Sequence, residues 1–180
     1  MRTLVALLRG INVGGRVKVP MAELKAVLTE LGLEQVVTYI QSGNVVFDAD
    51  APEEEVANRI EQAVAEAFSL NVRVLVRTPA ELRRIAERNP FLEEGADPAK
   101  LHVVFLRREP AEGAGARLDP ERSPPDRFHL RGRELYLHLP NGMGRSKLTI
   151  DYLERTLGVD ATARNWRTLL KLVELAGERP

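Results

Sequence analysis

The chain of 180 residues is 44% hydrophobic and 29% charged, a composition typical of globular proteins and not of disordered or fibrous ones. Basic and acidic side chains balance at 26 each, so the net charge gives no support for binding of the whole molecule to nucleic acid or to an anionic membrane. The absence of cysteine excludes disulfides, thiolate catalysis and cysteine-ligated metals.

The length allows either one large domain or two small ones. The chain has no run of about 18 apolar residues, and the stretch from Met1 to Leu8 is too short for a signal-peptide core with its cleavage site. We therefore predict a cytoplasmic protein without a membrane partner, whose first apolar stretch is a buried central strand.

A helix and then a β-hairpin are predicted after this strand. Apolar residues recur at helical spacing over residues 20–31, where Pro20 can start a helix and Gly32 can end it. The β-rich runs 36–40 and 44–47 are separated by a short link that contains glycine, which predicts a hairpin.

A second helix and a fourth strand complete the first half of the chain. The acidic stretch after Asp50 is typical of a capped helix start, and an apolar stripe runs from Val56 to Phe68. Residues 72–76 alternate like a strand. The order β-α-β-β-α-β over residues 1–77 predicts an α+β protein whose first half is a ferredoxin-like subdomain.

Residues 78–180 are predicted to form a second, smaller α/β subdomain that packs with the first as one unit. Thr78 and Glu81 have the spacing of a helix cap, and the helix should end near Asn89 because Pro90 follows. A fifth strand at 101–106 then precedes a Pro- and Gly-rich stretch, residues 110–125, that we interpret as an exposed connector.

The remainder of the chain predicts a second hairpin and two closing helices. The hairpin strands are residues 127–130 and 134–139, and the helices run over about 146–157 and 163–175. The second half of the chain is compatible with a decayed copy of the first.

The glycine-containing loop from Arg9 to Arg16 follows a strand and precedes a helix start, a place where backbone N–H groups favour an anion. Arg9, Asn12 and Lys18 are its candidate ligand-binding residues. Its glycine spacing matches no phosphate-loop motif. The alternative is a crossover that needs glycines for its turn and leaves its cations in solvent.

The stretch from Tyr39 to Asn44 concentrates uncharged hydrogen-bonding groups at the tip of the first hairpin. Gln41 and Asn44 are candidates for orienting a polar ligand there. The alternative is ordinary turn chemistry, although a turn does not require Gln41.

A third candidate is the stretch from Pro140 to Lys147, in which a strand passes through two glycines toward a predicted helix start. Arg145, Ser146 and Lys147 at that start suit a phosphate. The alternative is that Ser146 caps the helix and that the two cations are solvated.

The last helix opens with Trp166, the only tryptophan of the chain, beside arginines that invite stacking on a base. We favour a structural role for it, since such rings usually pack into a core. His102, His129 and His138 lie in strand runs without metal-ligand spacing, so we predict no metal site.

The polar stretches of this chain, taken together, resemble the domain of unknown function 1697 family, which is bacterial. The resemblance implies a small cytoplasmic α/β protein with a ferredoxin-like first half, and it implies no established activity. The segments that carry it are Leu7–Gly15, Val19–Met21, Tyr39–Val45, Gly144–Leu148 and Ala163–Trp166.

The leading hypothesis is a protein that binds an anionic small molecule, such as a nucleotide or a phosphorylated metabolite, at a composite site of these loops. Cations would meet its negative charge, and amides and a hydroxyl would orient its polar groups. The residues in these two roles are Arg9, Lys18, Arg145 and Lys147, and Asn12, Gln41, Asn44 and Ser146.

Two alternatives from other classes stay open. One is a nucleic-acid-binding module, which is less favoured because only 5% of the residues are aromatic and the RNA-binding aromatic signature is absent. The other is a protein interaction domain without catalysis. The sequence does not decide whether the protein is an enzyme, since it shows no activated nucleophile, and it indicates no cofactor and no oligomeric state.

Overall fold

A computed structural model gives the structure of the protein and describes residues 1–13 and 18–177. The chain divides into two compact units, the first formed by Met1–Arg83 with Leu172–Pro180 and the second by Arg84–Lys171. In the described residues each unit contains a four-stranded antiparallel sheet with helices, which confirms the predicted α+β class.

The first sheet has the strand order β2-β3-β1-β4, and every neighbouring pair is antiparallel. Helix α1 lies between β1 and β2 in the chain, and α2 lies between β3 and β4, which is the predicted β-α-β-β-α-β order. These elements are β1 (Arg2–Leu8), α1 (Met21–Glu30), β2 (Glu34–Tyr39), β3 (Asn44–Ala49), α2 (Glu53–Phe68) and β4 (Val74–Arg77).

The core of the first unit lies between its sheet and helices α1 and α2. Leu4, Ala6 and Leu8 of β1 pack with Leu28 of α1 and Ile60 of α2 in one cluster of buried side chains. Full burial of a Leu or Ile side chain contributes about 1.5–3 kcal/mol to the free energy of unfolding. The whole stretch 4–8 of β1 is buried, as the continuous apolar run predicts for a central strand.

Helix α3 (Pro79–Glu87) begins with the predicted capping box. The backbone N–H of Thr78 donates to the Glu81 carboxylate at 2.8 Å, and the N–H of Glu81 donates to Thr78 Oγ1 at 3.2 Å. Asp50 does not cap α2 as predicted. The N-cap residue is Pro52, and no side chain caps the helix. Its acidic first turn supplies the favourable charge instead.

The second sheet has the order β6-β7-β5-β8, again antiparallel throughout. This order repeats that of the first sheet, with β5 in the place of β1. A 3₁₀ turn at Ala114–Arg117 lies between β5 and β6, where the first unit has α1. The elements are α4 (Pro90–Glu93), β5 (Leu101–Leu106), β6 (Arg127–Arg131), β7 (Glu134–His138), α5 (Ile150–Leu157), β8 (Ala161–Asn165) and α6 (Trp166–Gly177).

The closing helices exist, but both predicted starts are wrong. The helix expected from Ser146 begins at Ile150, because Thr149 is its N-cap and accepts a hydrogen bond from the N–H of Tyr152 at 3.2 Å. The helix expected from Ala163 begins at Trp166. Residues 161–165 form β8 instead, a strand whose Ala and Arg content gives little strand propensity.

The stretch 110–125 is not wholly exposed, contrary to our interpretation. Ala114 and Leu118 are buried with the side chains of β5, β7 and α5 in the core of the second unit. Over the described residues, the helices lack the combination of length and hydropathy that crossing a membrane requires.

Candidate functional site

The first loop and the tip of the first hairpin meet through the side chain of Asn12. Its amide nitrogen donates to the carbonyl oxygens of Val19 at 3.0 Å and Gln41 at 2.7 Å, and its carbonyl oxygen accepts from the N–H of Val19 at 2.7 Å. Asn12 has a φ of 55°, a left-handed conformation that asparagine tolerates better than most residues. Its side chain therefore closes the loop and fastens it to the hairpin.

Gly43 brings the hairpin into direct contact with the same loop. The N–H of Leu8 donates to the Gly43 carbonyl at 2.9 Å, and Gly43 has a φ of 82°. A Cβ atom at this position would lie 2.6 Å from Ile11 Cδ1 and 2.9 Å from Leu8 Cβ. Only glycine satisfies both the backbone conformation and this close approach.

A groove of about 550 Å³ opens beside this junction, at the start of α1. Its volume lies in the range of small-molecule sites. Lys18 is exposed at its edge, and no side chain caps the first turn of α1. The lining residues are Asn12, Lys18, Val19, Pro20, Met21, Ala22 and Gln41.

The structure thus brings together Asn12, Lys18 and Gln41, three of the five site residues that the sequence predicts in the first unit. Arg9 lies beyond the end of β1, where its N–H donates to the carbonyl of Arg73 at 2.8 Å. Asn44 is fully buried and donates to the carbonyl of Tyr39 and to Ser42 Oγ, both at 3.0 Å.

Three further residues of the predicted loop, Gly14, Gly15 and Arg16, lie outside the described residues. The groove is therefore described from its remaining walls, which are the loop up to Val13, the approach to α1 from Lys18 onward, and the hairpin tip.

In the second unit, the stretch around Lys147 holds the connector in place. The N–H of Lys147 donates to Ser123 Oγ at 2.9 Å, and Ser123 Oγ in turn donates to the carboxylate of Asp126 at 2.7 Å. Arg122 Nε donates to the Lys147 carbonyl at 2.9 Å, and its guanidinium lies 3.7 Å from the ring centroid of Tyr152. These contacts stabilise the backbone of the segment that carries the predicted cationic residues Arg145 and Lys147.

Arg145, Ser146 and Lys147 do not occupy the first turn of α5, and Arg145 instead ends a short 3₁₀ turn, Met143–Arg145. They precede Thr149, the N-cap of α5, and the Ser146 hydroxyl accepts from the N–H of Leu148 at 3.0 Å. The Arg145 and Lys147 side chains are exposed. The partial positive charge at the start of α5 was expected to act together with these cations on an anion. This contribution is weaker than predicted, because the effect of the helix dipole falls off within the first turn.

The sequence reasoning missed Arg164, a charged residue that is only 6% exposed. Burial lowers its pKa to about 10, and its guanidinium donates to Thr162 Oγ1 and to the carbonyl of Ala163, both at 2.8 Å. A sequence signal was present, because Arg164 belongs to a segment that carries the family resemblance. The sequence pattern predicts a helix over that segment, in which the arginines were expected only to accompany Trp166 in stacking on a base.

The three histidines lie in strands, as predicted, with His102 in β5, His129 in β6 and His138 in β7. The Nδ1 atoms of His102 and His138 are buried and have no hydrogen-bond partner in the described residues. Burial lowers the pKa of His102. Within the described ranges, no group of three potential metal-ligating side chains comes together.

The fold and the groove define an α+β protein with two four-stranded sheets in its described residues and a small groove in its first unit. The chain belongs to the family described as protein of unknown function (DUF1697), whose model matches residues 1–136. The groove residues lie inside the matched range, whereas Arg145, Lys147 and Trp166 lie outside it.

A solved structure, that of the conserved bacterial protein SP0830 from Streptococcus pneumoniae, is similar to this chain. The two share 23% sequence identity with a TM-score of 0.73, over 97% of this chain and 98% of that chain. At this identity the similarity shows the fold. No curated protein matches the chain.

Proposed function

We propose that the first unit binds a small anionic molecule, of the class of nucleotides or phosphorylated metabolites, in the groove at the start of α1. The observation that carries this proposal is the groove of about 550 Å³ between the first loop and the hairpin tip, two polar segments that are far apart in sequence. An amide clamp holds these segments together, so the groove has a defined shape.

The electrostatics of the groove favour an anion. Lys18 supplies a full positive charge at the edge. Met21 and Ala22 belong to the first turn of α1, whose N–H groups receive no side-chain cap and carry the partial positive charge of the helix dipole. Glu23, the acidic residue of this turn, is exposed and is not part of the groove wall.

The predicted residues take different roles in this proposal. Lys18 meets the negative charge, and the exposed Gln41 side chain orients a polar group of the ligand. Asn12 and Asn44 shape the site, because their amides already serve hydrogen bonds within the protein. Arg9, just beyond the end of β1, is the other predicted cationic residue of the first unit in this proposal.

The test is a thermal-shift and calorimetric titration with inorganic phosphate, ribose 5-phosphate and adenosine monophosphate, with ribose and adenosine as uncharged controls. A ligand that binds the native state raises the melting temperature. We expect the three phosphates to do so and the uncharged compounds not to. Lys18→Met should weaken phosphate binding about fivefold or more, since it removes a charge-assisted contact.

Lys25→Met is the matched control, because Lys25 is an exposed lysine of α1 that does not line this groove. It should bind like the unchanged protein. Absence of stabilisation by all three phosphates, or equal losses in the two lysine variants, would refute the proposal.

For the second unit, we propose that Arg145 and Lys147 also meet anions, through their exposed side chains. Arg145→Met and Lys147→Met should then each weaken the binding of adenosine monophosphate in the same titration. Affinities equal to that of the unchanged protein would show that neither residue contributes to anion binding by the second unit. That result would leave the proposal for the first unit intact.

A further inference from the structure

A second groove, of about 450 Å³, lies at the start of α6 in the second unit. None of its residues lines the groove at α1. Two of them belong to the Ala163–Trp166 segment, for which the proposed function has no use. The lining residues are Pro98, Ala99, Asn165, Trp166, Arg167 and Leu170.

The walls of this groove are largely apolar. Pro98 and Ala99 stand in a 3₁₀ turn, and Leu170 is 46% exposed although it is a large hydrophobic side chain. Trp166 is nearly buried, with 3% of the residue's surface exposed. Covering an apolar surface of this shape with a flat apolar group is favourable, because both surfaces are removed from water.

The polar groups of the groove are hydrogen-bond donors. Asn165 caps α6, and its carbonyl oxygen accepts from the N–H of Thr168 at 2.8 Å, which leaves its amide N–H groups for a ligand. Arg167 is exposed and makes no ion pair or hydrogen bond with another described side chain.

The Trp166 indole N–H is a third donor. It makes no hydrogen bond with the described residues, and Trp166 lines the groove. A donor without a protein partner is available to an acceptor supplied from outside the protein. Among the described residues that line the groove, none is acidic.

We propose that this groove binds a small amphipathic anion, a carboxylate carried on a flat apolar ring. The carboxylate accepts from Arg167, Asn165 and the indole N–H, and the ring covers Leu170 and Pro98. The guanidinium has the planar geometry that suits a carboxylate, and the apolar walls distinguish a ring-bearing acid from a small polar anion.

Trp166 provides the readout, because it is the only tryptophan of the chain. The full chain is titrated with benzoate, and tryptophan emission is recorded under selective excitation; acetate tests for the ring, and benzamide tests for the charge. We expect a saturable change of emission with benzoate alone. A shift of the single indole N–H resonance in a nitrogen-15 NMR spectrum should follow the same binding curve.

Arg167→Met should weaken benzoate binding about fivefold to tenfold through loss of a charged hydrogen bond. Arg155→Met is the matched control, an exposed arginine of α5 outside the groove, and it should have no effect. Leu170→Gln tests the apolar wall at an exposed position that folding does not require, and it should also weaken binding.

The proposal is overturned by the absence of a saturable response to benzoate, by an equal response to benzamide, or by equal losses in the two arginine variants. An unchanged indole resonance at saturating benzoate would likewise overturn it. Phosphate binding at the groove of α1 is measured with other probes, so failure of one proposal leaves the other standing.

Discussion

Asn12 donates a hydrogen bond of 2.7 Å from its side-chain amide to the carbonyl oxygen of Gln41, 29 residues further along the chain. The same amide group donates to and accepts from the backbone of Val19. One side chain therefore fixes three pieces of backbone that together form the walls of the groove at α1.

Replacing Asn12 should destabilise the protein, because these three hydrogen bonds are lost together. We expect Asn12→Ala to lower the free energy of unfolding by about 2–3 kcal/mol, since the N–H of the buried Val19 loses its partner. Urea unfolding measures the change. Asn12→Gly, which accepts the φ of 55° without strain, should recover only the backbone part of the loss.

Asn71→Ala serves as the control for Asn12, because Asn71 is an exposed asparagine of the same unit. Its substitution should change the free energy of unfolding by less than about 0.5 kcal/mol. Equal effects of Asn12→Ala and Asn71→Ala would show that the amide clamp does not stabilise the loop.

Gly43→Ala should cost more than a glycine substitution in open space. The added Cβ would lie 2.6 Å from Ile11 Cδ1 at a residue with a φ of 82°, so crowding adds to backbone strain. We expect a loss of about 2–4 kcal/mol in the free energy of unfolding. Gly132→Ala, with a φ of 58° and no atom within 4 Å of its Cβ, should lose only about 1 kcal/mol. Similar losses at both glycines would contradict the close packing of hairpin and loop.

The fold class was predictable because burial and periodicity coincide over most of the chain. The run Leu4–Leu8 is apolar without interruption, and a central strand is the place where such a run is buried on both faces. Strand β8 was not predictable in the same way. Its Ala and Arg residues favour a helix, and its pairing with β5, from His102 with Asn165 to Leu106 with Ala161, holds them in a strand.

The segments that form the candidate site were predictable from the sequence, but the role of each residue within it was not. Glycine and amide content marked both the first loop and the hairpin tip. The sequence did not show that the Asn12 amide forms hydrogen bonds with the backbone, whereas Gln41 stays exposed. Such roles depend on hydrogen bonds between residues distant in sequence. The groove at α6 was likewise hidden, since Pro98 and Leu170 join Trp166 only in the folded unit.

The connector of the second unit should lose its anchoring when Ser123 is replaced. Its hydroxyl accepts from the N–H of Lys147 and donates to Asp126, so Ser123→Ala leaves both groups without this partner. We expect a loss of about 1–3 kcal/mol, measured by urea unfolding, and faster proteolysis within residues 110–125. Glu112→Ala, an exposed change in the same connector, should alter neither quantity. Unchanged proteolysis in Ser123→Ala would show that other contacts hold the connector.

The stability of the protein should depend on pH through His102, whose pKa is lowered by burial. The folded-state pKa lies below the ordinary value of 6.5, so the unfolded state binds more protons between the two values. The stability that depends on a neutral His102 is therefore fully present above pH 6.5 and is lost as the pH falls toward the folded-state pKa. The free energy of unfolding, measured by urea titration, should fall in this window, and His102→Gln should flatten the slope.

Glu94 supplies the control for this pH dependence. The hydrogen bond from Arg127, at 2.6 Å, lowers the pKa of Glu94 below its ordinary value of 4.5. Its stabilising contribution is thus fully present above pH 4.5 and is lost only as the pH falls through the lowered pKa of the folded state. Glu94→Gln should therefore leave the slope just below pH 6.5 unchanged. A slope in that window that persists in His102→Gln would assign the proton uptake to another group, because the Glu94 carboxylate does not titrate there.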